Sequence, residues 1–550
     1  MFHRTPCLLL VIIVFFVSCS DETTVFVDEQ QENLILENDF AKLSGSINFE
    51  NSGVLDIFED EQLTNKLYSA DKADEAGDYP FSLVAQVNPP RIGGSTVLTA
   101  SHVDVEGDYA YVSYNKAGED YYGAIDIVNV TDPHNPVVTS RLIYLNSDIN
   151  SLKYSNGYLY AVGGLNKEAS FTATSSSFVT KIKINAGGRM DLSAGILYGY
   201  QPGDNATDIE VNGKEVYVTS GKNGSVTIYD VKDFTVKNEE LFSDLRSLAY
   251  DNNKVAILDA DFGLRILDDN LNTEKEIPIS SDFGTFTKRT VDFLDDKIVV
   301  AEGSKGVGLY SYSSGTLLQY IPISIDPNKE VTGDIVNNAV AFNKDVIFMA
   351  NGGAGLSLSE DRGPGASPYG VLKIDGSVNY VESKGDYAFA ASGAEGLQII
   401  KLNRLSQSLA GTCATLTEYD GTSKLVINQG QDIAFRGAKR FNSIQVSGSL
   451  LMCGSWTVKN DVDIKSNSGL LEMNGNLLVG RNRDRKEINI EEGATLRIEG
   501  DLTIYGDLDL KDGSTIEFIG SDSVVNIFGE VKIGENVTIA GEFDDVQNKF

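Results

Sequence analysis

The chain has 550 residues and carries 79 acidic side chains against 45 basic ones, a formal net charge of −34. No basic cluster interrupts this acidity, which argues against nucleic acid as a partner because such binding depends on neutralising phosphates. Hydrophobic residues make up 41% of the sequence, enough over this length for more than one core.

The first segment has the pattern of an export signal. Arg4 provides a positive start, and residues 7–17 form an apolar run that is too short to span a membrane as a helix. The run ends in FVSC, which resembles the lipobox of bacterial lipoproteins, with Cys19 as its last residue. The resemblance implies that 1–18 is a signal peptide and that Cys19 carries a lipid anchoring the protein to a membrane. An ordinary cleaved signal is the alternative.

The residues that follow Cys19 begin SDE, which resembles the acidic export tags of Bacteroidetes-type surface lipoproteins. This resemblance implies an outer-membrane protein that faces the cell exterior. Residues 20–44 are acidic and have few paired apolar positions, which predicts a flexible chain. We therefore expect 19–78 to be a lipidated tether and linker that holds the folded part away from the membrane.

Seven copies of one pattern fill residues 79–402. Each copy has an apolar strand, a turn rich in Gly, Asn and Asp, a second strand, a glycine-containing loop and a third strand. The first strands can be indexed at one apolar residue each: Val103, Leu152, Ile209, Leu248, Val291, Val340 and Val381. Successive index residues lie 39 to 57 apart, which is typical of four-stranded β-propeller blades. The seventh copy stops at Leu402, and residues 81–88 can fill its missing outer strand to close the ring.

The copies resemble LVIVD-repeat proteins, a β-propeller family. The resemblance lies in GDYAYVSYN, GAIDIVNVTDPHNPV and GLQIIKL, and it covers roughly residues 80–402. Only the first copy keeps the full DPxNP turn, at residues 132–136. The resemblance implies seven blades, and it implies no single chemistry because one fold hosts many functions.

From about residue 440 the pattern changes to strict alternation of apolar residues, with turns every six to eight residues. The predicted inward face is Leu496, Ile498, Leu502, Ile504, Leu508, Leu510, Ile516, Phe518, Val525, Ile527, Val531, Ile533, Val537 and Ile539. Short strands of constant length favour an all-β stack, a β-helix or β-solenoid over 436–550, with a small β-sandwich as the alternative.

Two cysteines remain after the signal and the anchor, Cys413 and Cys453. An oxidising exterior permits a disulfide between them, which would staple the predicted junction at 403–435 to the first turns of the solenoid. Two independent buried thiols are the alternative.

Catalytic motifs are scarce. The mature chain has two histidines, His102 and His134, and neither has a partner at metal-ligand spacing, so both are assigned structural roles. No phosphate-binding loop, dinucleotide fingerprint or nucleophile elbow occurs. We therefore predict no enzyme, no catalytic residues, no metal and no cofactor. The alternative is a propeller enzyme that acts on extracellular polysaccharide through carboxylates.

One face of the propeller is predicted to bind a partner. The loops from second to third strand are longest in the first two blades, at 116–122 and 165–177, and the inter-blade loops share their face. The candidate ligand-binding residues there are Tyr121, Tyr122, Asp148, Phe171, Tyr200, Asp204, Asp244 and Asp282. Aromatic rings among carboxylates suit a glycan or a cationic patch on a surface protein. We expect a non-catalytic binding or scaffold module at the cell surface, with a structural envelope protein as a further alternative.

Overall fold

The computed structural model describes residues 24–26, 34–59, 76, 79–118, 120–170, 172–284, 288–328, 331, 333–344, 346–361, 365–403, 413–465 and 468–550. The predicted signal peptide 1–18, Cys19 and Phe171 lie outside the described residues. Within these ranges, no helix combines the length and the apolar character needed to cross a membrane.

Seven antiparallel sheets form a ring, as the repeats predict. Each sheet is a meander because short apolar stretches alternate with tight turns; in blade two, Asn156 and Gly157 have φ angles of 51° and 82°, as two-residue hairpins require. The first strands of adjacent blades contact one another around a central channel. Apolar side chains fill the space between sheets, as where Val103 and Val112 of blade one meet Phe389 and Ile399 of blade seven.

The strands run from the channel outwards in chain order. Blades one to three comprise Thr99–Glu106, Tyr109–Asn115, Gly123–Asn129 and Val137–Tyr144; Ser147–Ser155, Tyr158–Leu165, Ser177–Asn185 and then both Arg189–Asp191 and Leu197–Gln201; Ala206–Val211, Glu215–Ser220, Ser225–Asp230 and Val236–Leu241. Blades four to six comprise Leu245–Asp251, Lys254–Asp259, Gly263–Asp268 and Thr273–Pro278; Val291–Leu294, Lys297–Ala301, Val307–Ser311 and Leu317–Ile321; Ile335–Asn343, Val346–Gly352, Leu356–Asp361 and Ala366–Leu372.

Blade seven closes the ring with a strand from the start of the domain. Its own strands are Tyr380–Lys384, Tyr387–Ala391 and Leu397–Leu402, and Phe81–Val87 pairs antiparallel with the last of these. All seven residues of Phe81–Val87 are buried. The predicted closure by residues 81–88 is thereby confirmed.

Part of the predicted tether is folded onto the propeller. Leu34–Glu37 extends the outer edge of blade one by pairing with Val137–Tyr144, and Leu34 and Leu36 are only 2% and 6% exposed. The prediction of a flexible chain was therefore wrong for Thr24–Phe26, which pairs with this strand, and from residue 34 onwards, where alternate leucines bury against a sheet edge. The other elements of the N-terminal segment are the strand Thr24–Phe26, the α-helix Phe40–Leu43, the 3-10 turn Ser44–Ser46 and the strands Ile47–Asn48, Gly53–Val54 and Ile57–Glu59. Elsewhere in the chain lie the short strands Arg91–Ile92 and Thr96–Val97 and the 3-10 turns Lys167–Ala169 and Cys413–Thr415.

The C-terminal domain is a parallel β-solenoid. One sheet stacks Lys424–Ile427, Ser443–Val446, Val462–Ile464, Ile488–Ile490, Leu508–Leu510 and Val531–Ile533. The other contains Asp432–Phe441, Ser449–Val458, Leu470–Val479, Thr495–Ile504, Thr515–Phe518, Ser523–Ile527, Thr538–Ala540 and Phe543–Asp545. Equivalent positions stack in register, so that Leu471 lies over Leu496 and Leu496 over Ile516, all fully buried. Parallel pairing excludes the β-sandwich, whose strands are antiparallel.

Two details of the predicted solenoid need correction. Its first strand begins at Lys424, inside the segment predicted to be a junction, and not at 436. Ile533 and Ile539 are 53% and 38% exposed, although both were assigned to the inward face. They lie on the last turn, which the described chain covers on one side only. Cys413 and Cys453 are bonded, with their Cα atoms 5.7 Å apart.

Candidate ligand-binding site in the propeller channel

A ring of hydrogen bonds lines the central channel at the end where the loop 116–122 of blade one lies. The residues that form it lie two positions before each index residue: Ser101, Asn150, Thr207, Arg246, Arg289, Asn338 and Asn379. In blades one to four a β-bulge lies at this position. Each side chain donates across to the next blade or to the loop that leads to it, over distances of 2.6 to 3.4 Å. We call this ring the blade-to-blade belt.

A cavity of about 320 Å³ opens at this end of the channel, and we call it the upper cavity. Its lining residues are Ser101, Asn115, Ala117, Asn150, Asn205, Thr207, Lys288, Asn338 and Asn379. Carboxamides and hydroxyls dominate the lining, and such groups both donate and accept hydrogen bonds. The single cation, Lys288, donates to Asp208 at 2.9 Å, and burial lowers the pKa of this lysine.

Three of the predicted site residues, Tyr121, Asp148 and Asp204, lie close to residues that line the upper cavity. A Cβ placed on Gly164 would lie 2.9 Å from Asn205 Oδ1 and 3.4 Å from Tyr121 Cε1, so Tyr121 stands beside a cavity-lining carboxamide. Partial burial raises the pKa of the Tyr121 hydroxyl, and the nearby carboxylates of Asp148 and Asp204 raise it further. Tyr121 and these two carboxylates therefore lie close enough to interact electrostatically, and a shared ligand-binding role remains a prediction.

Asp148 and Tyr122 hold the loop in place. The Asp148 carboxylate accepts the backbone N–H of Lys116 at 3.2 Å and also that of Tyr122. Burial raises the pKa of Asp148 to about 7. The Tyr122 ring packs against the core of blades one and seven, with Lys116 Nζ 5.5 Å from its centroid. Asp148 and Tyr122 therefore fix the loop that carries Tyr121.

The other predicted residues do not join this group. Asp244 forms an ion pair with Arg246 at 2.7 Å, and Asp282 accepts the N–H of Gly284 at 2.8 Å. Tyr200 is half-buried on the outer strand of blade two. The sequence predicted aromatic rings among carboxylates on this face, and one of these carboxylates, Asp244, is engaged by Arg246.

A second cavity, of about 360 Å³, lies further along the channel, and we call it the lower chamber. The residues one position after the index residues are Asp104, Lys153, Glu210, Ala249, Asp292, Ala341 and Glu382, and all seven line it. Burial raises the pKa of Glu210 to about 7 and that of Asp292 to about 6. This charged ring was not predicted from the sequence, although the residue that follows the index residue is charged in five of the seven copies.

His102 also lines the lower chamber, and its ring lies 4.0 Å from that of Tyr380. His134 lies elsewhere, in a turn where its N–H donates to Asp132 at 3.0 Å. Among the residues that the structure describes, no group of three or more His, Cys, Asp or Glu side chains is arranged to hold a metal ion.

Neither a family model nor a curated protein matches the chain. Among solved structures, it is similar to the WD40 β-propeller domain of Doa1, at 10% identity and a TM-score of 0.43, over 60% of this chain and 98% of that one. It is also similar to the RRP9 WD40 repeats, at 13% identity and a TM-score of 0.42, over 61% of this chain and 99% of that one. The propeller assignment rests on the strand pairing within this chain, and a propeller is consistent with a binding or scaffold role.

Proposed function

We propose that the protein is a lipid-anchored surface module whose propeller binds a neutral glycan at the upper cavity. The observation that carries this proposal is a cavity lined by carboxamides and hydroxyls, with the Tyr121 ring beside Asn205, one of its lining residues. Sugar hydroxyls need partners that both donate and accept, and an aromatic face can pack against a sugar ring.

The contacts of the carboxylates favour a glycan over a cationic protein patch. A cationic partner needs free carboxylates, but Asp244 is paired with Arg246 and Asp148 accepts two backbone N–H groups. The same contacts favour binding without catalysis, because Asp148 is engaged in holding its loop. We therefore retain the polysaccharide-acting enzyme only as the alternative that measured turnover would establish.

The anchor and the location rest on the sequence. The FVSC pattern that ends at Cys19 supports lipidation, and the SDE that follows supports the cell exterior. The repeat phrases support a relationship to LVIVD-repeat propellers. Lipidation at Cys19 would place the folded chain from Leu34 onwards close to the membrane surface.

A glycan screen with paired variants tests the proposal. The full chain should bind at least one neutral oligosaccharide, and Tyr121→Ala should weaken that binding about tenfold without lowering the melting temperature. The matched control is Phe40→Ala, which removes an exposed ring from the helix at the outer edge of blade one. Equal losses in both variants, or no binding by the unmodified chain, would contradict the proposal.

A further inference from the structure

The lower chamber contains more carboxyl groups than cations. Its lining includes five carboxyl side chains: Asp104, Asp208, Glu210, Asp292 and Glu382. Lys153 is the one lysine in that lining, and Lys288 reaches in from the upper cavity. The chamber therefore holds an excess of three potential negative charges.

Two of the carboxylates form ion pairs with these two lysines. Asp104 lies 3.1 Å from Lys153 Nζ and accepts the N–H of Tyr154 at 2.8 Å. Asp208 accepts from Lys288 Nζ at 2.9 Å and from the hydroxyl of Ser151 at 2.8 Å. Lys153 also interacts electrostatically with Glu210 and Glu382, so two lysines are shared among five carboxyl groups.

Among the described residues, the other three carboxyl groups have no cation as close as those of Asp104 and Asp208. Glu210 lies 4.0 Å from Lys153 Nζ, at the limit of an ion pair. Asp292 and Glu382 accept backbone N–H groups, from Phe293 at 2.8 Å and Val105 at 3.0 Å, and neither forms an ion pair with a described residue. Burial raises the pKa of Glu382, and the nearby Asp104 raises it further. In the absence of a cation, Glu382 and a fraction of the Glu210 side chains are protonated near neutral pH, whereas Asp292 is largely protonated only below about pH 6.

A buried histidine in the same chamber also has a nitrogen atom without a hydrogen-bond partner among the described residues. His102 lines the chamber and is 6% exposed, and its Nδ1 has no hydrogen-bond partner in the described part of the chain. Buried polar atoms are nearly always paired. Burial lowers the pKa of His102 well below its usual value, so this side chain is neutral and does not compensate the carboxylates.

We propose that the lower chamber binds an aliphatic amine with two or more ammonium groups. Its acidic side chains come from blades one, three, five and seven and so surround the channel, which suits several separated charges rather than one. Between them lie the half-buried apolar side chains of Val340 and Phe342, which suit methylene groups. Solvent reaches the chamber, since the side chains of Glu210 and Lys153 are 29% and 35% exposed.

The inference goes beyond the proposed glycan site, because it concerns other residues and another ligand class. Binding of the amine should also be coupled to the release of protons from the chamber. An ammonium group that neutralises Glu210, Asp292 and Glu382 displaces the protons that these groups hold, so binding should strengthen as the pH rises from about 6 to about 8.

Calorimetry on the full chain tests the inference, with putrescine and spermidine as probes. Saturable binding is expected, about tenfold tighter at pH 8 than at pH 6, with proton release visible in buffers of different ionisation heat. Butane-1,4-diol, the neutral counterpart of putrescine, should not bind. Binding of the diol, or absence of heat with both amines at millimolar concentration, would overturn the inference.

Variants separate a specific site from general attraction to an acidic protein. Glu210→Gln and Asp292→Asn should each weaken amine binding about tenfold. Glu274→Gln removes the same charge from an exposed outer strand and should leave it unchanged. An equal loss in Glu274→Gln, or equal competition by Mg²⁺, would contradict the proposed site. Tyr121→Ala should leave amine binding intact, so failure of the glycan proposal remains distinguishable.

Discussion

The seven side chains of the blade-to-blade belt show how one position per blade contributes to the whole ring. Asn379 of blade seven donates to the carbonyl of Ala100 in blade one at 2.8 Å, and so joins the last repeat to the first. A buried donor or acceptor left without its partner costs about 1–3 kcal/mol. The polar residue two positions before each index residue is therefore explained by packing between blades as well as by the cavity that it lines.

The carboxyl groups of the lower chamber predict an unusual pH dependence of stability. Burial raises the pKa of Glu210 from 4.5 to about 7. A carboxyl group whose pKa is higher in the folded state stabilises the fold below its unfolded pKa, and this contribution disappears as the pH rises through the folded value. Between about pH 4.5 and pH 7, melting temperatures should therefore fall more steeply for the unmodified protein than for Glu210→Gln. Parallel pH profiles would contradict this account, and Glu274→Gln is the control for net charge.

The loop residues of the candidate site could be predicted only in part. Tyr121, Asp148 and Asp204 were found because loop length and residue type are visible in the sequence. The pairing of Asp244 with Arg246 was not, because it depends on a bulge that places an arginine in the channel wall. The lower chamber was not predicted, because its charged residues are one per blade and far apart in the sequence, and only the folded ring brings them together.

At the level of elements, the closing strand depends on complete burial of Phe81–Val87. Leu83 of this strand lies opposite Ile400 and belongs to the core shared by blades six and seven. Leu83→Asp should lower the free energy of unfolding by more than about 3 kcal/mol, because it places an unpaired charge in that core. Leu241→Asp changes an exposed leucine on the outer strand of blade three and should have little effect. Denaturant unfolding of both variants measures the difference, and similar midpoints would contradict the closure.

Repeats and alternation were sufficient to predict the blades, the ring closure and the solenoid. Short accessory strands were not predictable in the same way. Leu34–Glu37 has four residues and no copy elsewhere in the chain, and it forms a strand only because the edge of blade one accepts it. The same reason applies to Lys424–Ile427, whose partner strand Ser443–Val446 covers it in the solenoid.

At the scale of the whole molecule, residues 49–56 connect the propeller to the solenoid. Val54 N–H donates to the carbonyl of Gly480 at 2.9 Å, and Asn482 N–H donates to Ser52 at 2.7 Å. The Asp56 carboxylate lies 2.9 Å from Lys459 and 3.5 Å from Arg440. Gly53 has a φ of 128°, and a Cβ there would lie 2.3 Å from the Gly480 carbonyl oxygen, so only glycine fits this contact. The segment that follows the proposed anchor thus contacts both domains.

The proposed anchor gives a prediction at this scale. Cys19→Ala should move the protein from the membrane fraction to the soluble fraction, because a multiply acylated terminus binds membranes far more firmly than the folded surface does. Fractionation with metabolic labelling by a fatty acid measures this change. A variant that stays in the membrane fraction and still takes up the label would contradict lipidation at Cys19.

Hydrogen–deuterium exchange with and without a bound neutral oligosaccharide tests the central claim most directly, because it locates the ligand. The account predicts slower exchange in 116–122 and 147–151, which border the upper cavity, and unchanged exchange in the solenoid from Lys424 onwards. Protection confined to the solenoid, or to propeller strands remote from the upper cavity, would contradict it.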